Sequence, residues 1–166
     1  MTLKFKNRIA LFNTLAVALT TAMVFLVIYF VVNKTAYNHL DDDILIEKEE
    51  VISNLNWNRD SIIINKMPEW EEAEHNQIEV NPTFLQIADV KGIVIFRSAN
   101  LPGDQVLVGP DNSRQTFYNG KISGQKIRLG QFSILNEDGG KIGQLTIAVS
   151  QEESFNILNN LIWVLF

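Results

Sequence analysis

Cysteine is absent from the 166 residues. That excludes disulfides and cysteine-based metal sites, and it is compatible with an oxidising compartment without requiring one. Basic charge is scarce after the first few positions. The 14 basic residues less Lys4, Lys6 and Arg8 leave 11 against 19 acidic ones. Nucleic-acid binding needs a basic footprint and is not expected. A Gly-rich nucleotide loop is missing as well. Gly92, Gly103, Gly120, Gly139 and Gly140 read as turn glycines, because none opens a helix after a strand. No serine stands in a recognisable nucleophile context, so Ser/His/Asp catalysis has no support.

The most informative absence is local. Between Ile9 and Val32 there is no Asp, Glu, Lys or Arg, and Leu, Val, Ala, Phe and Ile dominate. As a helix rising ~1.5 Å per residue this stretch spans about 36 Å, more than the ~30 Å hydrocarbon core of a bilayer. Its threonines can bond back to their own helix, which limits their cost in lipid. Lys4, Lys6 and Arg8 precede it, whereas Lys34 and the run Asp41, Asp42, Asp43 follow. The positive-inside rule therefore keeps residues 1–8 in the cytoplasm and sends the remainder outward. A cleaved signal peptide is the competing reading. The apolar run is long for one, and no small-x-small site follows closely.

The helix is expected to continue past the membrane to about Asn56. Tyr37, Ile44 and Val51 recur every seven residues, with Leu40, Leu45, Ile52 and Leu55 on adjacent rows. Asp41 to Asp43, Glu47, Lys48, Glu49 and Glu50 form the opposite, charged face. Such a stripe needs a cover. The domain's own sheet or a second copy of the same helix would serve, and too few heptads are present to choose between them.

Beyond it the pattern turns to strands. Ser61 to Asn65 is a short strand, and Pro68 marks a break. Phe84 to Asp89 and Ile93 to Ser98 flank a hairpin turn at Val90-Lys91-Gly92. Leu101 to Asp104 is a turn leading to a strand candidate at Gln105 to Val108. A strand from Gln115 to Tyr118 reaches a turn at Asn119-Gly120. Lys126 to Leu135 alternates imperfectly, with Gly130 as a candidate bulge. Asp138-Gly139-Gly140 turns into Ile142 to Val149. At least four antiparallel strands, and up to six, follow the long helix.

Ser150-Gln-Glu-Glu153 has capping-box spacing, and two acids suit the first turn of a helix. Phe155, Leu158, Ile162 and Leu165 then follow at helical spacing, with Trp163 placed as an interfacial aromatic. The wholly apolar run from Leu161 reads as the opening of a second membrane helix, and the protein is expected to continue.

Several stretches resemble the input half of bacterial two-component sensor histidine kinases of the Bacteroidetes type. They are Glu69-Trp-Glu-Glu-Ala-Glu-His75, Asn81-Pro-Thr-Phe-Leu-Gln86, Asp89 to Gly92 with Phe96-Arg-Ser-Ala-Asn-Leu101, and Gly143-Gln-Leu-Thr-Ile-Ala-Val-Ser150. The resemblance covers nearly the whole chain. It implies a downstream HAMP linker, a dimerisation helix carrying the phosphorylated histidine, and a kinase domain using ATP and Mg. It also implies a homodimer and a response regulator as partner. None of those modules lies within these residues. His39 and His75 fall on the outer side of the membrane, so neither suits a phosphoacceptor. The chain itself is expected to be non-catalytic and to hold no cofactor.

The organisation expected is therefore a cytoplasmic tail at 1–8, a membrane helix at 9–32, an extracytoplasmic sensor domain at 33–155 and the start of a second membrane helix at 156–166. The fold class is α/β, a long helix on an antiparallel sheet of PAS-like type. Placement in the cytoplasmic membrane, in contact with lipid, follows. The candidate sensing cluster is Glu69, Glu71, Glu72, Glu74, His75 and Glu79. Carboxylates beside an imidazole suit a divalent metal such as zinc, or a pH response. The commoner reading of such a charge run is a solvated surface segment. For His39 with Asp41 to Asp43, near the membrane exit, the readings are a cation bridge to lipid head groups or simply a wet helix face. Two other functions stay open: an envelope binding or adhesion protein without kinase output, and the same input module on a different output domain.

Overall fold

The computed structural model describes residues 4–58, 61–64, 82–103, 107 and 115–165. Helix α1 runs unbroken over Phe5–Asn54. It includes a stretch long and apolar enough to cross a membrane, none of it buried within the protein. In that stretch Thr20 Oγ1 donates to the carbonyl of Ala16 at 2.8 Å, so its hydroxyl is satisfied inside the helix.

Past the apolar stretch α1 becomes a core helix. Leu40, Ile44, Val51 and Leu55 at its end are buried, and Leu45 and Ile52 pack beside them. Each such side chain contributes roughly 1.5–3 kcal/mol on leaving water. The expected stripe is therefore present, and what covers it is this chain's own sheet. The helix stops two residues short of Asn56. Ser53 Oγ and Asn54 Nδ2 both donate to the Glu50 carbonyl, at 2.7 and 3.1 Å, in competition with the backbone ladder. Leu55 then turns extended and opens a strand.

Among the described residues seven strands follow, where four to six were expected. β1 (Leu55–Asn58) and β2 (Ser61–Ile64) make a small hairpin. β3 (Thr83–Asp89), β4 (Val94–Arg97), β5 (Gln115–Ile122), β6 (Gln125–Leu135) and β7 (Lys141–Ser150) form one antiparallel sheet in the order β4-β3-β7-β6-β5. Helix α2 (Glu152–Leu165) closes the chain. Both faces of the sheet are covered. Leu85, Ile87, Phe132, Ile134, Leu145 and Ile147 meet α1 and the β1–β2 hairpin. Phe84, Ile122, Ile127, Leu129 and Ala148 pack with Leu101 and Leu107 on the other side. Two buried faces explain the imperfect alternation in β6, since residues of both parities must be apolar.

One turn and one bulge assignment need correction. Asn119-Gly120 lies inside β5, paired with Arg128 and Ile127. Gly120 is there because a Cβ would lie 2.7 Å from Leu129 Cδ1. The turn falls instead at Ser123-Gly124, where φ is +50° and +87°, the left-handed pair that a tight hairpin needs. Gly130 is no bulge, for it pairs in register with Phe117 and Ile147. The β6–β7 irregularity sits between Ile134 and Leu135. Of the strand candidate Gln105 to Val108 only Leu107 is described, and it is not in a strand. The turn at Val90-Lys91-Gly92 is present, tied by Asp89 Oδ1, which accepts from the amides of Lys91 and Ile93 at 2.8 Å each. Asn136 closes the β6–β7 turn by accepting from Gly140 N at 2.7 Å.

Helix α1 runs along β6 in the same direction. Tyr37 and Asp41 lie by Arg128, Ile44 by Gly130, and Lys48 over Phe132. At Gly130 an added Cβ would stand 2.4 Å from Ile44 Cγ2 and 2.9 Å from the Phe132 ring, so the helix sits tight against the strand there. Gly130→Ala is expected to lower stability by about 1–3 kcal/mol through overpacking. Adding Ile44→Ala should make the double variant less unstable than the two single losses combined, as read by chemical unfolding of the full chain in detergent.

Candidate functional site

Two helices and the sheet converge at one end of the domain, and the residues joining them are polar. Arg128, on the α1 side of β6, holds Asp41 of α1 through both arms: Nε to Oδ1 at 2.7 Å and Nη2 to Oδ2 at 3.0 Å. Its third nitrogen, Nη1, donates to Asn119 Oδ1 at 3.0 Å. The guanidinium also lies over the rings of Tyr37 and Phe117, with centroids at 5.3 and 5.8 Å. A planar, always-charged fork suits this shared role, and lysine would not replace it.

Asn119 Oδ1 accepts a second bond, from Gln151 Nε2 at 3.0 Å. Gln151 is buried just before α2. The same nitrogen donates to the Ile127 carbonyl at 2.8 Å, and the Gln151 amide donates to the Lys126 carbonyl at 3.0 Å. Asp41, Arg128, Asn119 and Gln151 thus link α1, β6, β5 and the start of α2 in one chain of hydrogen bonds. Beside it, Tyr37 and Phe155 meet edge to face at 5.6 Å, a direct contact between the helices. Val31, Val32, Thr35, Ala36 and His39 of α1 share a groove of about 280 Å³ with Ser154, so the first turn of α2 lies beside the segment where α1 leaves its apolar stretch.

The cap of α2 differs from the expected box. Ser150 Oγ accepts from the amide of Glu152 at 3.2 Å and from Gln125 Nε2 at 3.0 Å. Phe155 N reaches the Gln151 carbonyl, so the helix begins one residue later than a box on Ser150 requires. The hydroxyl serves strand β7 and the β5–β6 turn as well as the helix.

The acidic run that follows the apolar stretch divides. Asp41 is not on a wet face, because it is turned into the domain against Arg128. Asp43 Oδ2 sits 3.0 Å from His39 Nδ1 on the exposed side. Among the described residues, no three His, Asp or Glu side chains gather in a way that could hold a metal ion. The cluster Glu69, Glu71, Glu72, Glu74, His75 and Glu79 lies outside the described residues.

The far face of the sheet carries a second polar feature. Gln86, Thr146 and Gln131 stand in register across β3, β7 and β6, all buried. Gln86 clamps the backbone of Leu107, accepting from its amide at 2.8 Å and donating to its carbonyl at 3.1 Å. Gln131 Oε1 and the Tyr118 hydroxyl are buried with no hydrogen-bond partner among the described residues, and burial pushes the phenol up to about 12.

Sequence reasoning placed Tyr37 and Asp41 on α1 but missed Arg128, Asn119 and Gln151 as a set. One signal was present. On the helix-facing side of β6 the order is Lys126, Arg128, Gly130, Phe132, Ile134, and a charge that leads into an apolar row under a helix requires a partner. Compared with known protein families, curated proteins and solved structures, the chain shows no significant match.

Two outcomes test this geometry. Arg128→Ala is expected to cost about 1–3 kcal/mol, between the values for exposed and buried pairs, and to speed amide exchange in α1 around Asp41. The Asp43 partner raises the His39 pKa above its ordinary 6.5, by hydrogen bonding first and charge second. Whatever the pair adds to stability is therefore present below pH 6.5 and lost as pH rises through the elevated midpoint. An NMR titration should place that midpoint above 6.5, and Asp43→Asn should lower it.

Proposed function

We propose that this chain is the signal-input region of a membrane-bound sensor histidine kinase, with Ile9–Val32 crossing the cytoplasmic membrane and the sheet domain outside. A stimulus on the domain shifts α1 relative to α2, and that displacement crosses the membrane to control autophosphorylation and phosphotransfer to a response regulator. The kinase modules, with their ATP and Mg, belong to the protein beyond this chain, which would act as a homodimer.

The observation that carries the reading is the hydrogen-bonded chain from Asp41 through Arg128 and Asn119 to Gln151. It ties both helices to the sheet at the end from which they depart. A receptor needs that arrangement, because a domain motion reaches the membrane only through segments rigidly attached to it. A stimulus shifts such a receptor only by its differential affinity for the two states. The sheet order supports the PAS-like assignment. Counted within the sheet it is 2-1-5-4-3, with first and last strands adjacent at the centre and a long helix across one face.

The test acts on the attachment. Glycine inserted after Ser150 in the full-length protein leaves both helices intact but rotates and loosens α2 against Gln151's partners. Stimulus-dependent autophosphorylation should be lost while the domain stays folded. Unchanged signalling would overturn the reading, and a reading frame that stops without an output domain would point to an envelope binding protein instead.

A further inference from the structure

The junction also contains a cleft of about 430 Å³. Asn119, Lys121, Lys126, Gln151, Tyr37 and Phe155 line it, and no acid does among the described residues. Lys121 and Lys126 are direct cross-strand partners flanking the Ser123-Gly124 turn. Like charges placed opposite each other destabilise a ladder unless something lies between them. No carboxylate among the described residues pairs with either one, since the ion pairs are His39–Asp43, Lys48–Glu49 and Arg128–Asp41. Asp41, on the α1 side, is already paired with Arg128 through both oxygens.

The position of this cleft is as informative as its charge. The β5–β6 turn lies at the end of the sheet where both helices depart. Gln125 bonds Ser150, and the Gln151 amide bonds the Lys126 carbonyl. Tyr37, on the cleft wall, is only ~7.5 Å along the helix from Val32. The head-group layer outside the hydrocarbon core is itself about 5–8 Å deep on each side. The opposite end of the sheet, at the β6–β7 turn, carries Glu137 and Asp138, whereas at this end the acids Asp42, Asp43 and Glu152 stand on the helices outside the cleft lining.

We propose that this cleft binds a phosphate group between Lys121 and Lys126, supplied by an anionic phospholipid head group. The choice of lipid as source rests on the reading of Ile9–Val32 as membrane-spanning; the anion site does not. Asn119 Nδ2, which reaches the Tyr37 hydroxyl at a long 3.4 Å, is placed to donate to the same phosphate. Lys126 Nζ stands over the Phe155 ring at 5.7 Å, and Phe155 is the ring that meets Tyr37. A phosphate that draws Lys126 toward itself therefore acts on the contact between α1 and α2. Anionic lipid would bias the resting position of the two helices.

The full chain, in nanodiscs of phosphatidylcholine with and without phosphatidylglycerol, gives one arm of the test. Inorganic phosphate titrated into the detergent-solubilised chain gives the other. Hydrogen exchange at 119–128 and lipid retention in native mass spectrometry are read in the native protein and in Lys121→Gln/Lys126→Gln. Both lysines are exposed and face each other, so the double variant should stay folded, with an unfolding midpoint equal to or slightly above the native one. Phosphatidylglycerol should slow exchange in the native protein alone. Its retention over phosphatidylcholine should fall on the order of 30-fold in the variant, the effect of two lysines beside an anionic surface. Protection by inorganic phosphate with no preference for phosphatidylglycerol would keep the anion site and overturn the lipid source. No protection in either arm would overturn the site. A chain that stays soluble without detergent and ignores vesicles of both kinds would sink the membrane reading, and the phosphate arm would then decide the cleft alone.

Discussion

The packing of α1 on the sheet, and the junction built on it, depends on the seating of Ile44 on Gly130. A side chain larger than hydrogen at Gly130 would hold α1 away from β6, and the buried row Leu40, Ile44, Val51 would lose its floor. Close-packed interiors do not absorb such a displacement, since even one extra methyl forces rotamer or backbone shifts. Because α1 is a single unbroken helix, the same contact also sets the direction in which the apolar stretch before it leaves the domain.

The polar junction depends on that seating. Asp41 is one turn before Ile44, so once Ile44 is docked its carboxylate meets Arg128 with both oxygens. Arg128 then fixes Asn119, and Asn119 fixes Gln151 at the root of α2. Partly withdrawn from water, these bonds are stronger and more directional than they would be on an open surface, and a chain of them moves as a unit. An apolar contact between the helices would hold them together but would tolerate sliding. The bidentate pair does not, and that stiffness makes the junction suited to passing on a small motion.

Much of the architecture was legible beforehand because it rests on periodicity. The charge-free run, the stripe of Leu40, Ile44, Val51 and Leu55, and the hairpin at Val90-Lys91-Gly92 are local patterns, and the local physics that creates them acts whatever the rest of the chain does. Reading failed where one local signal had two causes. Asn119-Gly120 has the composition of a turn, yet Gly120 is small because Leu129 crowds it. Gly130 looked like a bulge and is the groove for a helix. Ser150 has the spacing of a capping box, but its hydroxyl also answers to Gln125 on a strand that sequence distance conceals.

From sequence alone came the existence of a membrane-length apolar helix, its amphipathic continuation and an antiparallel sheet, because burial in lipid or core imposes a repeat on consecutive residues. Tertiary structure alone decided what covers the stripe, which way Asp41 points, and that Arg128, Asn119 and Gln151 form one site. Those residues come from different strands and helices, and hydrogen bonds between side chains far apart in the chain leave no period to read.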